Sequence, residues 1–260
     1  MTIPLISRTS RFVRLGTLAA VFAFASCSPV TGTDNGGTGI NFREKTIGSF
    51  IFVYTSSDDA TLDALAADME TKLARLKTKL QVTTLPPITV VLYPSRRAFQ
   101  EANNTAFWVP AVTQGVSRIE MISPNAPNQV FELWQDTRAE HMLAHIVTLG
   151  VDDDSGNNPR WLWESLALYE SGQKTPAANV DFFKPDAEPA LNQLGGGYGT
   201  PIFDVGYYMG EFLETTYGVG KIIELIESEG DLSETLGLTS TAFIAQFVAF
   251  VRQKYGLPSA

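Results

Sequence analysis

His141-Met142-Leu143-Ala144-His145 and, further along, Pro159-Arg160-Trp161-Leu162-Trp163-Glu164-Ser165-Leu166-Ala167-Leu168-Tyr169 are the two segments that decide how this chain folds. His141 and His145 are the only histidines among 260 residues. They stand at i and i+4 inside residues 130–149, whose apolar spacing predicts the long helix of the chain. That spacing puts both imidazoles on one helix face, one turn apart, where two ring nitrogens can bind one Zn²⁺ from the same side. A polar loop over residues 150–159 leads into a second helix over 161–171. Glu164 lies on it, 19 residues after His145. If the helices are antiparallel, Glu164 returns against the histidines as a third ligand. Three protein ligands leave one position of a zinc ion open to water.

Outward from this pair, strand signals come before it and helix signals after it. Residues 49–55 (SFIFVYT), 88–93 (ITVVLY) and 117–122 (SRIEMI) read as strands. The periodicity over 59–80 predicts an amphipathic helix with Leu62, Leu65, Ala66, Met69, Leu73, Leu76 and Leu80 on its apolar face, and a short helix is expected over 96–102. Residues 172–201, rich in Gly and Pro, read as loop, and helical segments are expected over 205–217, 219–229 and 241–255. The order indicates an α+β protein, with a small mixed-sheet lobe over about 47–149 and a helical lobe over about 150–257.

The N-terminus reads as an export signal. Arg8, Arg11 and Arg14 precede an apolar run, residues 15–25 (LGTLAAVFAFA), too short to span a bilayer as a mature helix. It ends at Cys27, the only cysteine, in a Phe24-Ala25-Ser26-Cys27 context similar to a bacterial lipobox, which implies lipidation of Cys27. Residues 1–27 are then a lipoprotein signal peptide. Residues 28–46, rich in Gly, Thr, Asn and Asp, read as a flexible tether. Ser28 follows the cysteine where an Asp would suggest inner-membrane retention, so the expected location is the cell envelope, at the outer membrane if the host has one. With Cys27 lipidated, no thiol remains for a disulfide, and the fold depends on its core alone. Losing the signal takes the formal charge from -9 to -12, which disfavours nucleic acid and anionic lipid surfaces as partners. The membrane is met only through the lipid on Cys27.

On the two central segments the chain resembles the gluzincin zinc metallopeptidases, most closely the peptidase MA-like group. That group carries an H-E-x-x-H helix followed by P-x-W-L-x-E-G-L-A-x-Y; here the segments are H-M-L-A-H and P-R-W-L-W-E-S-L-A-L-Y. Val90-Val91-Leu92-Tyr93-Pro94-Ser95 and Phe212-Leu213-Glu214-Thr215-Thr216-Tyr217-Gly218 also fit, so the resemblance covers about residues 47–257. It implies a zincin-like fold with His141, His145 and Glu164 as zinc ligands. It also makes residues 117–122 the sheet edge along which a peptide pairs by backbone hydrogen bonds.

The departures from the family pattern bear on chemistry. The family's general base directly follows the first histidine, and Met142 stands there. A thioether neither accepts nor donates the proton, and losing a positioned base costs about 10²- to 10⁴-fold in rate. No neighbour on the helix replaces it. Arg138 and Ile146 share the stripe of Met142, and Glu140 points about 200° away at roughly 100° per residue. Glu132 and Asp136 are further along the helix. A base from the loop Asp152-Asp153-Asp154 is the remaining route, against its plainer reading as a solvated loop and helix cap. Where the family often has a Tyr near the metal, the count from Leu213 gives Phe203; Tyr198, Tyr207 and Tyr208 are the other candidates. Ser165 stands at a frequent Gly position. Trp161 and Trp163 flank Glu164 on different faces, at least one of them core.

Three readings follow. One is a zinc-binding, catalytically impaired pseudo-peptidase that binds a peptide or protein in the cell envelope. The second is an active zinc metallopeptidase with a base from elsewhere. The third is a metal-free structural lipoprotein.

Overall fold

Two runs of aromatic and β-branched residues, Phe50–Tyr54 (β2) and Ile88–Tyr93 (β3), form the middle of a five-stranded mixed sheet. The computed structural model describes residues 39–127, 131–154, 156, 159–196 and 201–258. The signal segment 1–27, Cys27 and Tyr198 lie outside the described residues. Arg43–Ile47 (β1), Ala111–Thr113 (β4) and Arg118–Ile122 (β5) complete the sheet, in the order β1-β2-β3-β5-β4. The β2–β3 and β3–β5 pairs are parallel, and the flanking β1 and β4 run antiparallel to their neighbours. Seven α-helices follow among the described residues: Leu62–Lys79 (α1), Arg96–Asn103 (α2), Phe131–Val151 (α3), Arg160–Glu170 (α4), Ile202–Glu227 (α5), Leu232–Leu236 (α6) and Ser240–Tyr255 (α7). The protein is α+β, and none of these helices is long and apolar enough to cross a membrane.

The period-2 alternation of the strands sorts the sheet's two faces. Phe50, Phe52, Val90, Leu92, Ile119 and Met121 join one core with α1 and α3. Val91, Tyr93 and Ile122 join a smaller one with Ala98 and Phe99 of α2. The larger core continues through Leu162 and Leu166 of α4 to Met209 and Phe212 of α5 and Phe247 of α7, so the sheet and the helices of the second half share one interior.

Two strands differ from the sequence reading. The tether expected over 28–46 ends earlier, because Arg43–Ile47 pairs with β2. Its polarity is that of an exposed edge strand, with Arg43 2.5 Å from Asp59 and Lys45 2.6 Å from Asp63. Residues 117–122 are not the sheet edge: β4 lies outside β5, with Ala111 opposite Met121 and Thr113 opposite Ile119. Three residues, Ala111–Thr113, are too short a run to announce a strand. Likewise α6 has only five residues, marked by Asp231 accepting from the Ser233 and Glu234 amides and by left-handed Gly237. The expected break between 205–217 and 219–229 is present inside α5, at Gly218 with φ 80°.

The helix bearing Glu164 is held from both sides. Against α5, its most extensive neighbour, two glycines permit close approach. A Cβ on Gly206 would stand 2.5 Å from Leu168 Cδ1, and one on Gly210 would stand 2.8 Å from the Ser165 carbonyl oxygen and 2.4 Å from Tyr169 Cβ. Across the other end, Arg75 of α1 reaches Glu140 of α3 at 2.8 Å and Glu170 of α4 at 2.6 Å, while Lys79 joins Glu170 to Glu214 of α5. Gly210→Ala is therefore expected to cost about 1–3 kcal/mol of stability through overpacking against the α4 backbone. Urea denaturation measures this; an unchanged midpoint would mean that α5 can move away freely.

Candidate metal centre

Position i and i+4 on α3 bring the two imidazoles together as the spacing requires: their rings lie edge to face with centroids 4.7 Å apart, and Nε2 faces Nε2 at 3.1 Å. The loop after α3 turns the chain back, and α4 begins directly after Pro159. Pro159 has no N–H to leave unpaired at a helix start, and its carbonyl accepts from the Leu162 and Trp163 amides. One turn on, Glu164 points at the histidines. Its Oε2 stands 3.4 Å from His141 Nε2 and 3.9 Å from His145 Nε2, while Arg160, one turn earlier on α4, lies 3.0 Å from Oε1. All three side chains are buried.

The three facing atoms mark out a binding point. They form a triangle with sides of 3.1, 3.4 and 3.9 Å whose centre is about 2.0 Å from each corner, the length of a bond from a small divalent metal ion to imidazole nitrogen or carboxylate oxygen. Glu164 Oε2 is buried and makes no hydrogen bond among the described residues. A proton shared between the imidazoles would satisfy those two nitrogens and leave the carboxylate oxygen orphaned; a cation at the centre satisfies all three. The group His141, His145 and Glu164 is thus suited to hold a metal ion.

The electrostatics agree with that use. Burial, and after it the neighbouring His141, pull the His145 imidazole from 6.5 down to about 3. The ring is then neutral at pH 7, with a lone pair for a cation. Burial pushes the Glu164 carboxyl up, but the nearness of His141, His145 and Arg160 outweighs it and holds the group at about 2, so it is ionised. Ligand imidazoles are usually oriented by a hydrogen bond at the other ring nitrogen. Here Nδ1 of both rings is buried without a partner among the described residues, and packing orients them instead. Trp163 stacks flat on His145, 4.2 Å between centroids and 9° between planes. Trp161 points the other way, into the core against Phe243.

The centre opens into a cavity of about 860 Å³ between α3, α4, β4 and the start of α5. Met142 lines it beside the histidines, and so does Phe203. The other tyrosines are engaged elsewhere: Tyr208 donates to the Thr175 carbonyl, and Tyr207 packs on Tyr169. Glu140 is bound to Arg75 on the far side of α3, so it is no substitute base. Asp153 does line the cavity, whereas Asp152 accepts from the Asp154 amide within the loop. The sequence reading left Trp163 without a settled role, and it missed β4 and the part Arg138 takes in the cavity wall. The helical offsets of Arg138 and Met142 were the available signal for Arg138.

A buried histidine held neutral makes stability depend on pH. The folded value of His145 lies below the unfolded one, so the unfolded chain alone gains its proton as pH falls below about 6.5, and the native state loses stability there. For the metal-free protein the expected slope between pH 6 and 5 approaches about 1.4 kcal/mol per unit from this residue. Denaturation of wild type and His145→Gln across that range measures it; equal slopes would show that the ring protonates in the folded protein.

No protein-family model matches the chain, and no match to it is found among curated proteins.

Proposed function

We propose that this protein is a zincin-like, gluzincin-type envelope lipoprotein that binds zinc and a peptide or protein ligand but hydrolyses peptides poorly. The observation that carries the reading is the buried triangle of His141, His145 and Glu164 with Met142 beside it, facing a cavity bounded by an antiparallel edge strand. Two imidazoles and one carboxylate are the donor set of a catalytic zinc site with an open position. Zinc bound there supplies a Lewis acid and an activated water. The chain's own residues then hold the ligand rather than turn it over. β4 offers a backbone edge with no further strand beside it among the described residues, on which an extended peptide can pair. Trp108, 65% exposed, lines that end of the cavity as an apolar contact for its side chains. The signal segment and Cys27 support export and lipid anchoring at the envelope, with no role for nucleic acid.

A second reading, an active zinc metallopeptidase, is favoured by one observation: Asp153 lines the same cavity and is a carboxylate. Its hydrolysis would be lost in Asp153→Asn, whereas the pseudo-peptidase reading expects that variant to match the low activity of wild type.

Metal content of the purified protein tests the centre. About one zinc per chain is expected, lost in both His141→Ala and Glu164→Ala; no zinc after reconstitution would leave only a metal-free scaffold. Met142→Glu then tests the chemistry. Hydrolysis of an unfolded protein substrate is expected to rise about 10²- to 10⁴-fold over wild type. A zinc-loaded variant that stays inactive would refute the view that Met142 is what disables the site.

A further inference from the structure

We infer that the turn at Phe107-Trp108 is a second membrane contact: it docks on the neutral lipid surface to which Cys27 ties the chain and sets the cavity mouth there. This rests on the lipoprotein part of the reading above and narrows the ligand to a peptide presented at the membrane.

Phe107 and Trp108 are the exposed large hydrophobic side chains among the described residues, at 71% and 65%. Single exposed apolar residues are ordinary, but two adjacent large rings at one tip call for a partner. The chain builds this tip. The Val109 amide donates to the Ala106 carbonyl at 3.0 Å, which closes a turn with Phe107 and Trp108 at its corners. Turn corners ordinarily hold Gly, Pro, Asn, Asp or Ser. The feet of the turn are anchored: Val109 is buried, and Ala106 packs with it on the small core under α2. Arg96 fixes the tip, donating to the Phe107 carbonyl at 2.6 Å and lying over the Phe107 ring at 5.0 Å. An aromatic ring with a guanidinium beside it suits the boundary between headgroups and water.

The occupant follows from where the chain enters the fold. Ile40 and Phe42 pack on the same small core as Ala106 and Val109. The Phe42 ring meets Tyr93 edge on at 5.8 Å, and Tyr93 meets Phe99 at 5.7 Å. The lipid-bearing end of the chain thus joins the fold at the core that carries the turn. Residues 28–38 separate Cys27 from Gly39. At about 3.6 Å per residue that span is at most about 43 Å. Within such a reach the contact is intramolecular, at an effective concentration of order mM, so two rings suffice where a free domain would need more. The acidic mature chain is repelled by an anionic surface. Aromatic rings enter the headgroup region through their apolar bodies, so a neutral bilayer serves. Trp108 is exposed and also lines the cavity, so it stands at the rim. With the tip at the lipid, the peptide that pairs with β4 is a segment held close to the same membrane.

The test adds the purified mature chain to phosphatidylcholine vesicles whose acyl chains are brominated near the headgroup, which quench a tryptophan that reaches the lipid. Wild type is expected to lose emission relative to unbrominated vesicles. Trp161 and Trp163 are buried and do not contribute. Trp108→Tyr should abolish the quenching while keeping a ring at the tip. Phe107→Ala leaves the reporter in place and should lower the ratio of docked to free chain about 5-fold or more. It also keeps the test open if Trp108→Tyr misfolds. Quenching absent in wild type, or unchanged in either folded variant, would overturn the inference. The mass of the mature chain reports the lipid on Cys27 separately. A lipidated chain without Trp108-dependent quenching defeats this inference alone, and such quenching in a chain without lipid defeats the lipoprotein reading alone.

Discussion

His141 Nε2, His145 Nε2 and Glu164 Oε2 face one another in the interior, and the rest of the structure has to tolerate that arrangement. Each buried polar atom left without a partner costs about 1–3 kcal/mol, more when it is charged. Few folds keep such a cluster without a use for it. Here the cost is met by everything around it. Arg160 takes the other oxygen of Glu164, Trp163 covers His145, and a continuous apolar interior runs from Phe52 in the sheet to Phe247 in the last helix. The placement of α4 matters most, because it carries Glu164. Gly206 and Gly210 let α5 approach on one side, and Arg75 and Lys79 tie the end of α4 to α1, α3 and α5 on the other.

The same helix face that supplies two metal donors also defines what the site lacks. Arg138, Met142 and Ile146 form one stripe of α3. Ile146 is fully buried in the core, while Met142 and Arg138 reach the cavity. In our reading, the thioether at position 142 leaves this wall suited to hold a ligand rather than to activate water. The cavity is otherwise furnished for contact by a short antiparallel strand and the exposed Trp108 ring. Asp153 is the feature that keeps hydrolysis in play, since it alone brings a second carboxylate to this cavity among the described residues.

Much of this was legible in the sequence because it depends on short-range geometry. Two histidines four apart on a helix must share a face, and the break expected between residues 217 and 219 falls at Gly218. The misses have equally physical causes. β1 is a strand because its backbone pairs with β2, and its charged side chains read as tether. β4 has three residues and forms only because β5 offers it a partner. The expectation that Trp161 and Trp163 take different faces, one of them core, holds: Trp161 packs on Phe243 and Trp163 stacks on His145.

By itself, the sequence determined the donor set and its local order: which residues can ligate a metal, that two of them lie one turn apart, and that the position after the first carries no proton-transfer group. Those are properties of side-chain chemistry and helical period. Only the tertiary structure decided that Glu164 closes the triangle at 3.4 and 3.9 Å, that β4 and not β5 bounds the cavity, and that Arg138 faces the same space as the centre. Each of these depends on how elements far apart in the chain pack together. That is set by close approach and shared burial, which no single segment encodes.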